Sequence, residues 1–176
     1  MGTLRVLVVD DSAYNRRTIS EMLDSFEGVE VVGKAVDGND ALRLIEEIEP
    51  DLVTLDLEMP RMDGFTFLRL LMATRPTPVI VISGYANKEN VFKALELGAT
   101  AVLDPNVDTD TLVEQVRALC SGPTDRFDAG GRYAPGYRYG GADFVIEASG
   151  GDLYPPAVEA GPDPSGLLAI RQAWDV

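Results

Sequence analysis

Five short apolar runs, each followed by a stretch with helical spacing, constrain the fold of this chain more than any other feature. The runs are Leu4–Val9, Val29–Val36, Leu52 to Asp56, Pro78–Ser83 and Ala99–Leu103. Short apolar runs bounded by turn signals read as buried strands. Between them, Ile19, Met22, Leu23 and Phe26 are spaced as one helix face, with Ser12 as its cap. Ala41, Leu42, Leu44, Ile45 and Ile48 mark a second helix, halted before Pro50. Phe65–Ala73, Asn87–Leu97 and Thr109–Leu119 complete the set. This alternation predicts an α/β domain whose parallel sheet is covered on both faces. Right-handed crossovers favour a doubly wound, flavodoxin-like order, 2-1-3-4-5.

That order places strands 1 and 3 side by side, and a crevice opens above their carboxyl ends. Asp10, Asp11 and Asp56 stand at those ends. After Asp56 comes Met59-Pro60-Arg61-Met62-Asp63-Gly64. Pro60 stiffens this loop, and Gly64 is expected to adopt a conformation that a β-carbon would penalise. Three carboxylates brought together repel unless a hard divalent cation joins them. Mg²⁺ suits such a site, because it takes one or two carboxylates and keeps positions for phosphate oxygens. A carboxylate beside the ion can attack phosphorus and become an acyl phosphate. Ser83, at the next strand end, can donate to a phosphoryl oxygen, and Gly84 leaves room beside it.

These residues resemble a known family. Asp10-Asp11-Ser12, Asp56 with the Met-Pro-x-Met-Asp-Gly loop, and Ser83-Gly84 are similar to the receiver domain of two-component response regulators. The stretches DDSAYNRR, MPRMDGFTFLRLLMATRPTPVIVIS and ALELGA look most like the receiver half of CheB-type chemotaxis methylesterases. The resemblance covers residues 4 to about 120 and implies a CheY-like fold. It implies that Asp56 is the phospho-acceptor, that Asp10, Asp11 and the Glu58 backbone carbonyl join Asp56 in holding Mg²⁺, and that Ser83 contacts the phosphoryl group. A sensor histidine kinase would be the phosphodonor. A downstream protein would read the signal through the face of helix 4, strand 5 and helix 5, where self-association is also conceivable. Tyr14, Glu58 and Tyr85 are expected at the rim.

Two positions depart from the family pattern. Asp104 stands where the family has a Lys, and Ala101 where it favours a switch aromatic. At ~4 Å and an effective dielectric of ~20, each pair of like charges costs about 4 kcal/mol. Asp104 is therefore expected to disfavour phosphoryl-Asp56 unless it turns away or draws in metal. Lys88 and Arg61 are the candidate substitute cations. The Asp104-Pro105 bond is expected to be cis, as the family's Lys-Pro bond is. The departures keep open an alternative, a pseudo-receiver that binds partners without phosphorylation.

Composition excludes other classes. The net charge of −14 argues against direct binding to nucleic acid or an anionic membrane. No apolar run approaches the ~20 residues of a membrane span, and the cytoplasm is the expected location. The absence of histidine removes His-dependent triads, and one cysteine removes an internal disulfide. Domain boundaries are expected at 1–120 for the receiver and 121–176 for a Gly- and Pro-rich tail. Within the tail, Asp143–Ile146 reads as a strand and Leu167–Trp174 as a short helix. The interleaved Tyr133, Tyr137, Tyr139, Arg132 and Arg138 carry too little positive charge for nucleic acid. A methylesterase domain is not expected in about 55 residues, and a serine such as Ser149 would have no histidine to serve it.

Overall fold

The computed structural model describes residues 3–84, 87–121, 147–148 and 152–153. The expected Asp143–Ile146 strand, the Leu167–Trp174 helix, Tyr85, the 132–139 segment and the side chain of Lys88 lie outside the described residues. The elements alternate from β1 (Leu4–Val9), α1 (Ala13–Asp24) and β2 (Val29–Ala35) to α2 (Gly38–Ile48) and β3 (Leu52–Leu55). Then come α3 (Gly64–Thr74), β4 (Val79–Ile82), α4 (Lys88–Leu97), β5 (Ala101–Leu103) and α5 (Thr109–Ser121). A two-residue pair, β6 (Glu147–Ala148) and β7 (Asp152–Leu153), is antiparallel.

The five parallel strands are ordered β2-β1-β3-β4-β5, as the alternation predicts. Side-chain period 2 splits each strand between two cores. Leu7, Val9, Val53, Leu55, Val79 and Val81 face the side packed with Ile45 of α2, Phe67 and Leu71 of α3, and Leu95 of α4. Val6, Val8, Ile80, Ile82, Ala101 and Leu103 face the other side, with Ile19 and Leu23 of α1 and Leu112 and Val116 of α5. A sheet with two buried faces needs strands that are apolar throughout, which is why β3 and β4 read as continuous runs rather than alternations. Thr54 breaks the pattern. It is buried in the row Val8–Thr54–Ile80–Ala101, and its hydroxyl has no partner among the described residues.

Side-chain caps start every helix. Ser12, Asp37, Asp63 and Asn87 each accept the backbone N–H three residues on, at α1 to α4, and Asp108 does the same for Thr111 at α5. Each cap satisfies an orphan donor of the first turn. Because every helix follows a strand, the caps gather at the sheet edge where the strands end, and they fix the loops there.

Candidate functional site

Asp10 ends β1 and is buried, 2% exposed. Its backbone N–H donates to Ala35 of the neighbouring strand at 3.1 Å, so it continues the sheet by one residue. Asp56 ends β3 in the same way, with its N–H on Val9 at 2.9 Å. Carboxylate oxygens of Asp10, Asp11 and Asp56 all lie within 4.8 Å of one another. These three line an open cleft of about 1160 Å³ together with Tyr14, Glu58 and Ser83. Pro105, Asn106 and Val107 form its opposite wall.

The hydrogen bonds fix the orientation of the acceptor. Ser83 donates its hydroxyl to Asp56 Oδ1 at 3.0 Å, and the Glu58 N–H donates to the same oxygen at 3.3 Å. Asp10 Oδ1 accepts the Ser12 N–H at 2.8 Å. Burial and the neighbouring Asp10 carboxylate push Asp56 up to about 6 despite the Glu58 and Ser83 bonds. Burial, more than repulsion from Asp11, also raises Asp10. Two carboxylates with raised pKa values beside a third form a site that favours a cation. Ligand oxygens around octahedral Mg²⁺ are at most about 4.2 Å apart. The three carboxylates therefore fit the ion after a sub-ångström approach, or with a water in place of one of them.

The loop after Asp56 is held by its surroundings. A β-carbon on Gly64 would lie 2.3 Å from the Asp56 carbonyl oxygen and 2.6 Å from Leu57 Cα. Gly64 is needed for this close approach. Its backbone is not left-handed, which corrects the conformational reason expected from sequence; in this loop the left-handed residue is Arg61, with φ 65°. The Arg61 guanidinium pairs with Asp37, the buried cap of α2, across 24 residues of sequence. Arg61 is thus committed outside the cleft and does not replace a cation within it. Bonds from Asp40 and Arg61 hold the Asp37 carboxyl below its ordinary value.

Asp104 does not join the acidic cluster. Its carboxylate accepts the Asn106 N–H at 2.8 Å, and its carbonyl accepts the Val107 N–H at 3.0 Å. This is an Asx turn closed on the loop itself. Of the two conditions expected for Asp104, turning away is the one observed. The Asp104-Pro105 bond is trans, which overturns the cis expectation. Ala101 is buried, 1% exposed, among Val6, Val8 and Ile80.

Several residues of the site were not singled out from sequence. Arg16 Nη1 donates to the backbone carbonyls of Asp10 and Asp11, at 2.7 and 3.0 Å, and so braces the acidic loop. The Asn15 side chain stands beside Asp10 and opposes the rise of its pKa. Asp37 read only as part of a turn, and Asn106 carried no signal. A six-residue offset from Asp10 to Arg16 across a cap is a local pattern that could have been sought; the Asp37–Arg61 pair is not local.

A family model described as the response regulator receiver domain matches residues 6–117. Over 176 residues the chain is 45% identical to protein-glutamate methylesterase/protein-glutamine glutaminase 1 of Myxococcus xanthus. The alignment covers 99% of this chain, running through the Gly- and Pro-rich segment, and 50% of that protein. The chain therefore spans about half the length of that relative. The response regulator domain of Thermotoga maritima CheB superposes with a TM-score of 0.64 at 33% identity, over 69% of this chain and 98% of that one. A CheX-CheY-BeF3-Mg²⁺ complex from Borrelia burgdorferi gives 0.62 at 29% identity, over 66% and 89%.

Proposed function

This chain belongs to the response regulator receiver family, related to the receivers of CheB methylesterases, and we propose that Asp56 is its phospho-acceptor in chemotaxis-type two-component signalling. The observation that carries the proposal is the position of Asp56. It sits at the end of the central strand, shares a cluster with Asp10 and Asp11, and accepts the Ser83 hydroxyl.

Both donors engage Oδ1, so Oδ2 is the attacking oxygen. A bond forms from Asp56 Oδ2 to phosphorus as the donor's imidazole N–P bond breaks, and that nitrogen takes up a proton. Asp56, pushed up to about 6, is still mostly ionised at pH 7 and able to attack. Asp10, Asp11, Asp56 and the Glu58 carbonyl would hold Mg²⁺, which would neutralise charge on the transferring group. Ser83, which donates to Asp56 Oδ1, would turn its hydroxyl to a phosphoryl oxygen. Asp104, turned onto its own loop, keeps its charge out of the cluster.

The phosphodonor is a sensor histidine kinase, and the output is docking to a partner protein through α4, β5 and α5. We assign no methylesterase step to this chain, because its sequence contains no histidine to serve a catalytic serine. Among the described residues, no helix is long and apolar enough to cross a membrane; cytoplasmic action is part of the proposal. Intact-protein mass after incubation with acetyl phosphate and Mg²⁺ tests it. Wild type should gain about 80 Da, and Asp56→Ala or a chelated sample should gain nothing.

A second reading is a phosphorylation-independent binding module. Buried Ala101 and a cleft with no Lys or Arg among its described lining residues favour it. Its signature is a wild type inert toward acetyl phosphate beside a reactive Asp104→Lys.

A further inference from the structure

The described lining of the cleft contains four acidic residues, Asp10, Asp11, Asp56 and Glu58, and no Lys or Arg. A phosphoryl group on Asp56 presents three anionic oxygens. A bound Mg²⁺ would take one, and the Ser83 hydroxyl, which donates to Asp56 Oδ1, would turn to another. The third faces a site whose remaining donors are few. Asn15 stands beside Asp10 at the start of α1, and the Arg16 guanidinium is committed to the backbone of the acidic loop. On the wall opposite α1, the loop after β5 contributes Pro105, Asn106 and Val107 to the cleft, but not Asp104.

The cause is local. Asp104 is half-buried and accepts the N–H of Asn106, while Val107 N–H returns to the Asp104 carbonyl. The turn withdraws a negative charge from the cleft and sets an exposed carboxamide in its wall. A carboxamide offers two N–H donors and no negative charge. We propose that Asn106 is a phosphoryl-binding residue of this site, a neutral donor to the third oxygen, and that Asp104 is the positioning residue that presents it through its turn. The inference rests on Asp56 being the phospho-acceptor. It makes the β5–α5 loop the part of the cleft that sets how tightly the phosphoryl group is held, apart from the metal.

Beryllofluoride, whose BeF₃⁻ group on a carboxylate stands in for a phosphoryl group, provides the test. Its dissociation constant would be measured by calorimetry on the full chain at saturating Mg²⁺, and Mg²⁺ affinity would be measured separately without it. One hydrogen bond to a charged group corresponds to a change of about tenfold or more. Asn106→Ala should weaken beryllofluoride about tenfold, and Asn106→Asp, which keeps the shape but reverses the polarity, should weaken it further. Asp104→Ala loses the turn and should match Asn106→Ala. Asp104→Asn can still accept the Asn106 N–H and should stay within about twofold of wild type. Mg²⁺ affinity alone should be unchanged in Asn106→Ala, which separates lost phosphoryl contact from general damage. Wild-type beryllofluoride affinity in Asn106→Ala, or equal losses in Asp104→Asn and Asp104→Ala, would overturn the proposal. A wild type that binds Mg²⁺ but no beryllofluoride would overturn it together with the assignment of Asp56 as phospho-acceptor.

Discussion

The loop from Asp56 to Gly64 is hydrogen-bonded to neighbouring elements, whereas the loop from Asp104 to Val107 closes its hydrogen bonds on itself. On the first, Gly64 lies against the Asp56–Leu57 backbone and donates to Leu57 at 3.0 Å. Gly38 of α2 donates to Met62 at 3.3 Å, and Arg61 reaches Asp37. On the second, the Asn106 and Val107 amides return to Asp104, and the ties beyond the turn are the buried Val107 side chain and the Asp108 cap on α5. A loop held by its neighbours tolerates few residues at each position. A loop that folds on itself can exchange a cation for an anion, because a local Asx turn removes the charge from the cleft. The acidic side of the site therefore keeps the family pattern, while the β5 side departs from it at Ala101 and Asp104.

The largest effect that would sharpen this contrast is expected at Gly64. Alanine there places a β-carbon inside contact distance of two backbone atoms. Gly64→Ala should cost about 3 kcal/mol in urea denaturation, and a loss below about 0.5 kcal/mol would mean that the loop is not held as described. Next comes Asp37, which both caps α2 and holds Arg61. Asp37→Ala should cost about 1.5 kcal/mol and should weaken Mg²⁺ binding by displacing the loop that carries Glu58.

Asp56 links the contrast to pH. Its folded pKa, about 6, lies above the ordinary 3.8. The folded state then binds more protons than the unfolded one between those values, so stability falls as pH rises through that window. In the absence of divalent metal, Asp56→Asn should reduce this slope, leaving the part due to Asp10, and stabilise the protein at pH 7. The gain should be about 1 kcal/mol after discounting for partial exposure, and an unchanged pH profile would count against a strained Asp56. The smallest effect belongs to Gly84. A β-carbon there would sit 3.7 Å from Pro105, an ordinary contact. Gly84→Ala should change stability by less than about 0.5 kcal/mol, and a large loss would show that the β5 side is as tightly packed as the β3 side.

The fold was legible because a two-faced parallel sheet demands largely apolar strands, and β1, β3 and β4 supply them with only Arg5 and Thr54 as exceptions. Asp10, Asp11, Asp56 and Ser83 were legible as polar residues that terminate such runs. The two-residue offset from Asp104 to Asn106 was visible, but whether the Asp104 side chain would close a turn or face the cleft depends on backbone geometry that one residue type does not fix. The Gly64 requirement was visible, its reason was not, since close approach and left-handed backbone both select glycine. The Asp37–Arg61 pair joins loops 24 residues apart, and no periodicity signals it. Arg61 in isolation looked like an available cation for the cleft, and only its partner shows otherwise.

The central claim is that the cleft accepts a phosphoryl group on Asp56 with Asp104 in place. The most direct measurement is the rate of mass gain with acetyl phosphate and Mg²⁺, comparing wild type, Asp56→Ala and Asp104→Lys in parallel. The account predicts that wild type gains about 80 Da, that the gain requires Asp56, and that Asp104→Lys is not needed to obtain it. A wild type that stays inert while Asp104→Lys gains the mass would contradict it and would make residue 104 the point at which the site was silenced.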